Sequence, residues 1–318
     1  MIGSYLIGHS IGLMPLRSTL KLAISIGVLL AVRCLMSVRN RIPPSGTVHR
    51  QNSPSHVHIC LIHNQEADRL SHLVPRLKAL PAALPDWTFI FTEISEQPPI
   101  RPHTFITSYA RTVIYWILGQ RWARYRLMPG DCWPLPVFSY SGAVKYAFAS
   151  AVEVAVTAKH IAAWSRFLGS GDDYLIVMES DAVFLPDSAA RLDSLLHIVS
   201  RLSGLLYADL AGGLSRDVLG IEKLIDHDRG GLTHFIKPVT NTACAYLLNR
   251  VSVNSFSDSL HRLPYLRWVG IDWMMNAIMM DHETRGVLVA GMHANPPIFQ
   301  HGSVCGQYSS TIPRPAQS

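Results

Sequence analysis

Apolar and polar positions divide the chain into an apolar N-terminal segment, a polar stem and a body of alternating strand-like and helix-like periods. Leu20–Val38 (LKLAISIGVLLAVRCLMSV) is 19 residues of mostly apolar side chains, long enough to cross a bilayer as a helix. Lys21 and Arg33 lie toward its two ends, where each must snorkel. No small-residue cleavage site is evident, so the segment predicts an uncleaved signal-anchor after a short tail over residues 1–19. The alternative is an apolar helix packed on the body. Basic residues flank both sides (Arg17 and Lys21 before, Arg39 and Arg41 after), so charge does not orient the segment. Residues 39–54 form a stem, whose Ile42–Pro54 portion (IPPSGTVHRQNSP) is too polar to pack. Residues 55–318 form one folded domain.

That domain opens with a buried strand, His56–Ile62, in which alternation gives way to an apolar run. Glu66–Leu80 follows with a helical stripe at Leu70, Leu73, Val74, Leu77 and Leu80. Trp87–Phe91 is a second strand, and strand–helix–strand argues for a parallel start. Pro98–Pro136 is irregular, and its Phe105–Gly119 part suits an amphipathic surface helix able to touch a membrane. Ser141–Leu168 reads as one or two helices. Tyr174–Met178 (YLIVM) is a continuous apolar run, as in a central parallel strand. Ser188–Leu206 is expected to be helical, and Ala243–Leu248 and Val287–Val289 are further short strands. The fold class is therefore α/β, with a mainly parallel central sheet and flanking helices.

Charge excludes one class of partner. The formal charge of +6 comes from 28 basic and 22 acidic residues. Residues 1–50 hold six basic residues and no acid, which leaves a neutral body. A nucleic-acid binder concentrates positive charge on its folded domain, so nucleic acid is not an expected partner. The cysteines (Cys34, Cys60, Cys132, Cys244, Cys305) form no CxxC pair. The four in the body fit either two disulfides or four free thiols. No Asn-x-Ser/Thr sequon is present.

The richest stretch is Gly171–Pro186, GDDYLIVMESDAVFLP. A buried strand ends in Glu179-Ser180-Asp181, and ligands of open α/β sheets bind at the carboxyl ends of strands. Two carboxylates two residues apart on an extended chain point the same way and offer hard oxygens to Mn²⁺ or Mg²⁺. Such a metal can bridge the phosphates of a nucleotide-sugar. A strand followed by an acidic turn or helix cap is the plainer alternative. Asp172-Asp173, before the strand, read as solvated turn residues. His56, His58 and His63, on a buried strand, make a poor zinc set. Gly212-Gly213 and Gly230-Gly231 read as loop hinges.

Tyr174–Phe184 resembles the strand and DxD-like motif of GT-A glycosyltransferases, and of glycosyltransferase family 25 in particular. That family has a Glu-Asp-Asp triplet where this chain has Glu-Ser-Asp. It carries an Arg near the first strand, here Arg69, and a Ser-His pair where Lys159-His160 stands. Pro296–Ser310 resembles another GT-A group, the N-glycan-branching and GPI side-chain transferases. Pro297, Gln300, His301 and Ser309-Ser310 match that group's ending, with the Gly displaced to Gly302. Protozoan β-galactofuranosyltransferases are a third similar group. The resemblance spans roughly residues 56–310. It implies a Rossmann-like GT-A sheet and a UDP-sugar donor bound by Glu179, Ser180, Asp181 and Arg69. It implies a metal, Mn²⁺ or Mg²⁺, held by Glu179, Asp181 and His301; a packed loop histidine is the alternative for His301.

Asp272, in Val-Gly-Ile-Asp-Trp, is the candidate general base of an inverting transfer, or else a helix N-cap. Thr240, Asn241 and Thr242 look like the GT-A segment that shapes the acceptor side, or a polar turn entering a strand. Trp268 and Trp273 flank Asp272 and could stack on a sugar, with core packing the alternative. The implied acceptor is a glycan, glycolipid or GPI glycan in the Golgi or ER lumen, and the topology single-pass type II. Galactose, pyranose or furanose, is the first expectation for the sugar. A transferase-like body that binds without turnover is the second reading. A nucleotidyltransferase or metal hydrolase is the third, and no Gly-rich triphosphate loop supports it.

Overall fold

A computed structural model describes residues 55–96, 151–216, 221–263, 266–267 and 270–309. The segments expected to be a signal-anchor (20–38), a stem (39–54) and a surface helix (105–119) lie outside these, as do Cys34, Cys132 and Trp268. Among the described residues no helix is long and apolar enough to cross a membrane.

In chain order, strand β1 (Ser55–Ile62), helix α1 (Ala67–Ala83) and strand β2 (Trp87–Ile94) come first. Helix α2 (Ala151–Gly169), strands β3 (Tyr174–Glu179) and β4 (Ala182–Phe184), and helix α3 (Ser188–Val199) follow. Then come strand β5 (Leu205–Asp209), the hairpin β6 (Ile225–Arg229) and β7 (Leu232–Phe235), and β8 (Ala245–Asn249). Helices α4 (Arg250–Arg262) and α5 (Ile271–Thr284) and strands β9 (Val289–Ala294) and β10 (Phe299–His301) complete the fold.

Eight strands form one sheet in the order β2-β1-β3-β8-β5-β9-β7-β6. Six run one way, while β7 and β8 oppose them, so the sheet is mixed rather than mainly parallel in its pairings. The cause lies in the loop after β7. Residues 236–244 climb back to the carboxyl ends of β3 and β5, and the chain can re-enter only downward, as β8 between them.

The alternation of β3 builds two cores. Ile176 and Met178 face one side with Val57 and Ile59 of β1, Leu73, Leu77 and Leu80 of α1, and Leu192 and Leu196 of α3. Leu175 and Val177 face the other, with Trp164 and Phe167 of α2, Phe256 of α4 and Met274 of α5. Both faces of β1 and β3 are therefore covered by helices, which is why both read as continuous apolar runs.

Three expectations change. The helix expected through Leu206 stops at Val199, because Gly204, at φ +89°, breaks it and Leu205–Asp209 pairs beside β9 as β5. Gly230-Gly231 is the turn of the β6–β7 hairpin, both residues at positive φ, which only glycine adopts freely. Asp172 is buried, not solvated: its Oδ2 lies 2.8 Å from His58 Nδ1, and Asp173 Oδ2 accepts from His56 N at 3.0 Å. The pair ties β1 to the entry of β3. His63 instead faces Glu93.

Candidate metal centre at the strand ends

The site is built where β3 ends. After Glu179 the chain turns through Ser180-Asp181 and enters β4, which pairs with β10 in a second, two-stranded sheet. Its register sets His301 opposite Ala182 and so beside Asp181, 120 positions away in sequence. His301 Nε2 lies 3.0 Å from Asp181 Oδ2. Ser303 Oγ donates to the same oxygen at 2.7 Å, and Cys244 Sγ donates to Asp181 Oδ1 at 3.4 Å. Burial alone would raise the Asp181 carboxyl, but the His301 ring and the Ser303 hydroxyl hold it down to about 2. Burial would lower His301, and Asp181 raises it instead. Thr242 Oγ1 lies 3.0 Å from His301 Nδ1 and fixes the ring. Among the described residues, Asp181, Cys244 and His301 are the group whose ligand atoms all lie within 4.8 Å of one another.

Glu179 is held separately. Its Oε1 lies 3.1 Å from His160 Nε2, and His160 Nδ1 lies 3.0 Å from Tyr246 OH. Trp164 Nε1 donates to the same hydroxyl at 3.0 Å. An indole can only donate, so the tyrosine oxygen accepts from it and turns its own proton toward Nδ1. Burial drives His160 down to about 3, so the ring is neutral and its one proton sits on Nε2, aimed at Glu179. Glu179 itself is pushed up to about 8, by burial first and then by the charge of Asp181. A quarter of its side chain stays open to solvent.

Asp272 sits in the first turn of α5, with Gly270 at the N-cap position that was the alternative for it. Its Oδ1 is buried without a hydrogen-bond partner. Burial, then the charges of Glu179 and Asp209, lift its carboxyl to about 7. An orphaned buried carboxylate oxygen beside other acids is poised to take a proton. Asp209, at the end of β5, is a further acid that the sequence reading missed. It is buried and accepts from Gly212 N, Asn241 N and Tyr207 OH, each within 3.0 Å. Its place as the last residue of an unrecognised strand is the signal that could have found it.

The polar segment between β7 and β8 acts mainly inward. Asn241 accepts from Leu214 N and donates to Leu214 O, so its amide clamps the neighbouring loop. Thr240 Oγ1 donates to Asp272 O at 3.3 Å, and Thr242 holds His301. Trp273 is half-buried and packs against Ile221, Leu224 and Phe235. Ser180 Oγ donates to Glu66 Oε2 at 3.3 Å. Arg69 donates to Ser309 O at 2.6 Å and lies 5.1 Å over the Tyr308 ring, pinning the segment after β10. Lys159 Nζ donates to His63 O and Asn64 Oδ1. The structure thus gathers Asp181, His301, Glu179 and Asp272 at one end of the sheet. Beside His301 opens a cavity of about 300 Å³, lined by Gly212, Gly213, Pro297, Gln300 and Cys305.

No protein-family model and no curated protein matches this chain.

Proposed function

We propose that the chain is a metal-dependent glycosyltransferase of the GT-A type, moving a hexose from a UDP-sugar to a glycan, glycolipid or GPI acceptor with inversion. Galactose or galactofuranose is the favoured sugar. The segment 20–38 would anchor it in a Golgi or ER membrane as a single-pass type II protein. One observation carries the reading: Asp181, just past the end of β3, and His301 of β10 meet at 3.0 Å near Asp272, whose buried Oδ1 has no hydrogen-bond partner.

Asp181 and His301 suit a divalent cation, with carboxylate oxygen and imidazole nitrogen convergent and the ring oriented by Thr242. Held by Asp181 and His301, a divalent cation would supply positive charge against the leaving diphosphate. Asp272 orients the acceptor hydroxyl and takes its proton on Oδ1 as the acceptor oxygen bonds to the anomeric carbon. The bond from that carbon to UDP breaks, and UDP leaves with the electron pair. A carboxyl near 7 is a far better base than an ordinary aspartate. Glu179, steadied by the neutral His160, supports the charge balance of the centre. The cavity beside His301 has the volume of a sugar-sized subsite.

The test is UDP release by the full chain against a panel of UDP-sugars, with Mn²⁺, with Mg²⁺, with chelator and with Asp181→Ala. Release that needs metal, favours one sugar and vanishes in the variant is expected. A second reading, binding without turnover, is favoured by Ser180 and Arg69 having their polar groups engaged within the chain. It takes over if UDP and metal bind and no acceptor elicits release. Failure of both to bind ends the transferase reading.

A further inference from the structure

We infer that the centre selects a thiophilic divalent cation of the zinc class over Mg²⁺ and Mn²⁺, with the Cys244 thiolate as a ligand beside Asp181 and His301. The inference rests on the proposed role of Asp181 and His301 as metal ligands and adds a third that the sequence reading passed over.

Cys244 is buried, 1% exposed, just before β8. Its Sγ touches Asp181 Oδ1 at 3.4 Å, while Asp181 Oδ2 and His301 Nε2 are 3.0 Å apart. Around a tetrahedral zinc, bond lengths of about 2.0–2.3 Å put neighbouring ligand atoms about 3.4–3.6 Å apart. Asp181 meets the other two through different oxygens, Oδ1 toward Cys244 and Oδ2 toward His301, and with one ligand atom from each residue all three lie within 4.8 Å, close enough for small side-chain rotations to close them on such an ion. The chain has also been set for the purpose. Thr242 and Ala243, both non-glycine residues at positive φ (72° and 38°), turn the backbone so that Thr242 meets His301 and Cys244 meets Asp181. Such strain is kept where surrounding contacts over-determine it.

The donor set decides the metal. Mg²⁺ demands oxygens in a near-octahedral shell, and here the convergent group offers one carboxylate, while Glu179 turns its Oε1 to His160. Carboxylate, imidazole and thiolate together suit Zn²⁺ or Co²⁺. Binding is an exchange of ions: the cation bonds to sulfur, and the thiol proton and the proton between His301 and Asp181 pass to solvent. No redox partner is needed, and the fourth position stays open to water or substrate.

The test titrates the full chain with Co²⁺, followed by absorption, and then competes Zn²⁺, Mn²⁺ and Mg²⁺ against it. A sulfur-to-cobalt charge-transfer band is expected. Zn²⁺ should displace it at stoichiometric concentration and Mg²⁺ should not. Cys244→Ser should abolish the band and weaken binding about tenfold or more, a scale that even outer-shell partners reach. Cys60→Ser, at the buried thiol of β1 whose Sγ donates to Ala163 O, should leave it unchanged. Co²⁺ or Mn²⁺ binding with no such band, indifferent to Cys244→Ser, overturns the inference and leaves the proposed function standing. No binding of any divalent cation removes both. The wild-type spectrum alone decides between the first two outcomes if the Cys244 variant does not fold.

Discussion

At the scale of the residue, Asp272 carries the sharpest expectation. Its environment penalises the charged form, so the folded carboxyl holds its proton to about 7, whereas an unfolded aspartate releases it near 3.8. A group raised in the folded state contributes stability below its unfolded value and loses it as pH rises through the folded one. Asp272→Asn removes that loss while keeping the shape. Two effects should separate. UDP release should fall about 10²–10⁴-fold, the usual worth of a general base. Thermal unfolding at pH 8 should move upward by a few degrees, about what 1 kcal/mol brings in a domain of this size, and hardly at all at pH 4. Activity of the unsubstituted chain should rise with pH through about 7. A variant equally destabilised at both pH values would show Asp272 to be a packing residue and not a strained base.

At the scale of the element, the centre depends on how loops seat two short strands. The loop after β5 passes against the segment before β8, and Gly213 sits at the contact. A Cβ there would overlap Thr242 and come 2.8 Å from His301 Nδ1. Gly213→Ala should therefore push the imidazole away from Asp181 while leaving the two helix-covered cores intact. Divalent cation affinity should drop about tenfold or more, an outer-shell effect, with the circular dichroism spectrum unchanged; full affinity would show that the loop yields. This dependence is also why only half of the site was legible in sequence. β1, α1, β2 and β3 could be read because each is a long apolar run or a clean helical stripe. So could the acids at the end of β3, since strand ends are where sheets bind ligands. β5 was hidden because Leu205-Leu206 continued the helical pattern of α3, and Asp209 went with it. β6 was hidden because IDHDR is an exposed edge strand whose charges face solvent. Cys244 and Thr242 gain their roles only from the backbone turn at 242–243, which neither residue type announces. The inversion of β8 follows from where the 236–244 loop lands, a tertiary fact with no local pattern.

At the scale of the whole molecule, the centre concentrates acids that the fold must tolerate when no metal is bound. Glu179 rises to about 8 and Asp272 to about 7, so each costs stability as pH climbs from its unfolded value of 4.5 or 3.8. Asp181 has the opposite sign: held to about 2, it stabilises above 3.8 and the gain is lost as pH falls toward 2. These three groups therefore favour the metal-free chain most near pH 4, and weaken it as pH falls from about 4 toward 2 and as pH climbs from about 4 to 8. A bound cation supplies the missing positive charge, and its benefit should grow over the alkaline arm. At a free concentration one hundred times its dissociation constant, a ligand adds about 2.7 kcal/mol. In a folded body of this length that is about 5–10 °C in unfolding temperature. Scanning calorimetry of the full chain from pH 5 to 9, with chelator and with Zn²⁺, measures the gap directly. A gap that opens with pH, and closes in Asp181→Ala, locates the cation among these carboxylates. A gap that is constant with pH and survives that substitution places the cation elsewhere, and the acids at the end of β3 would then need another counter-charge.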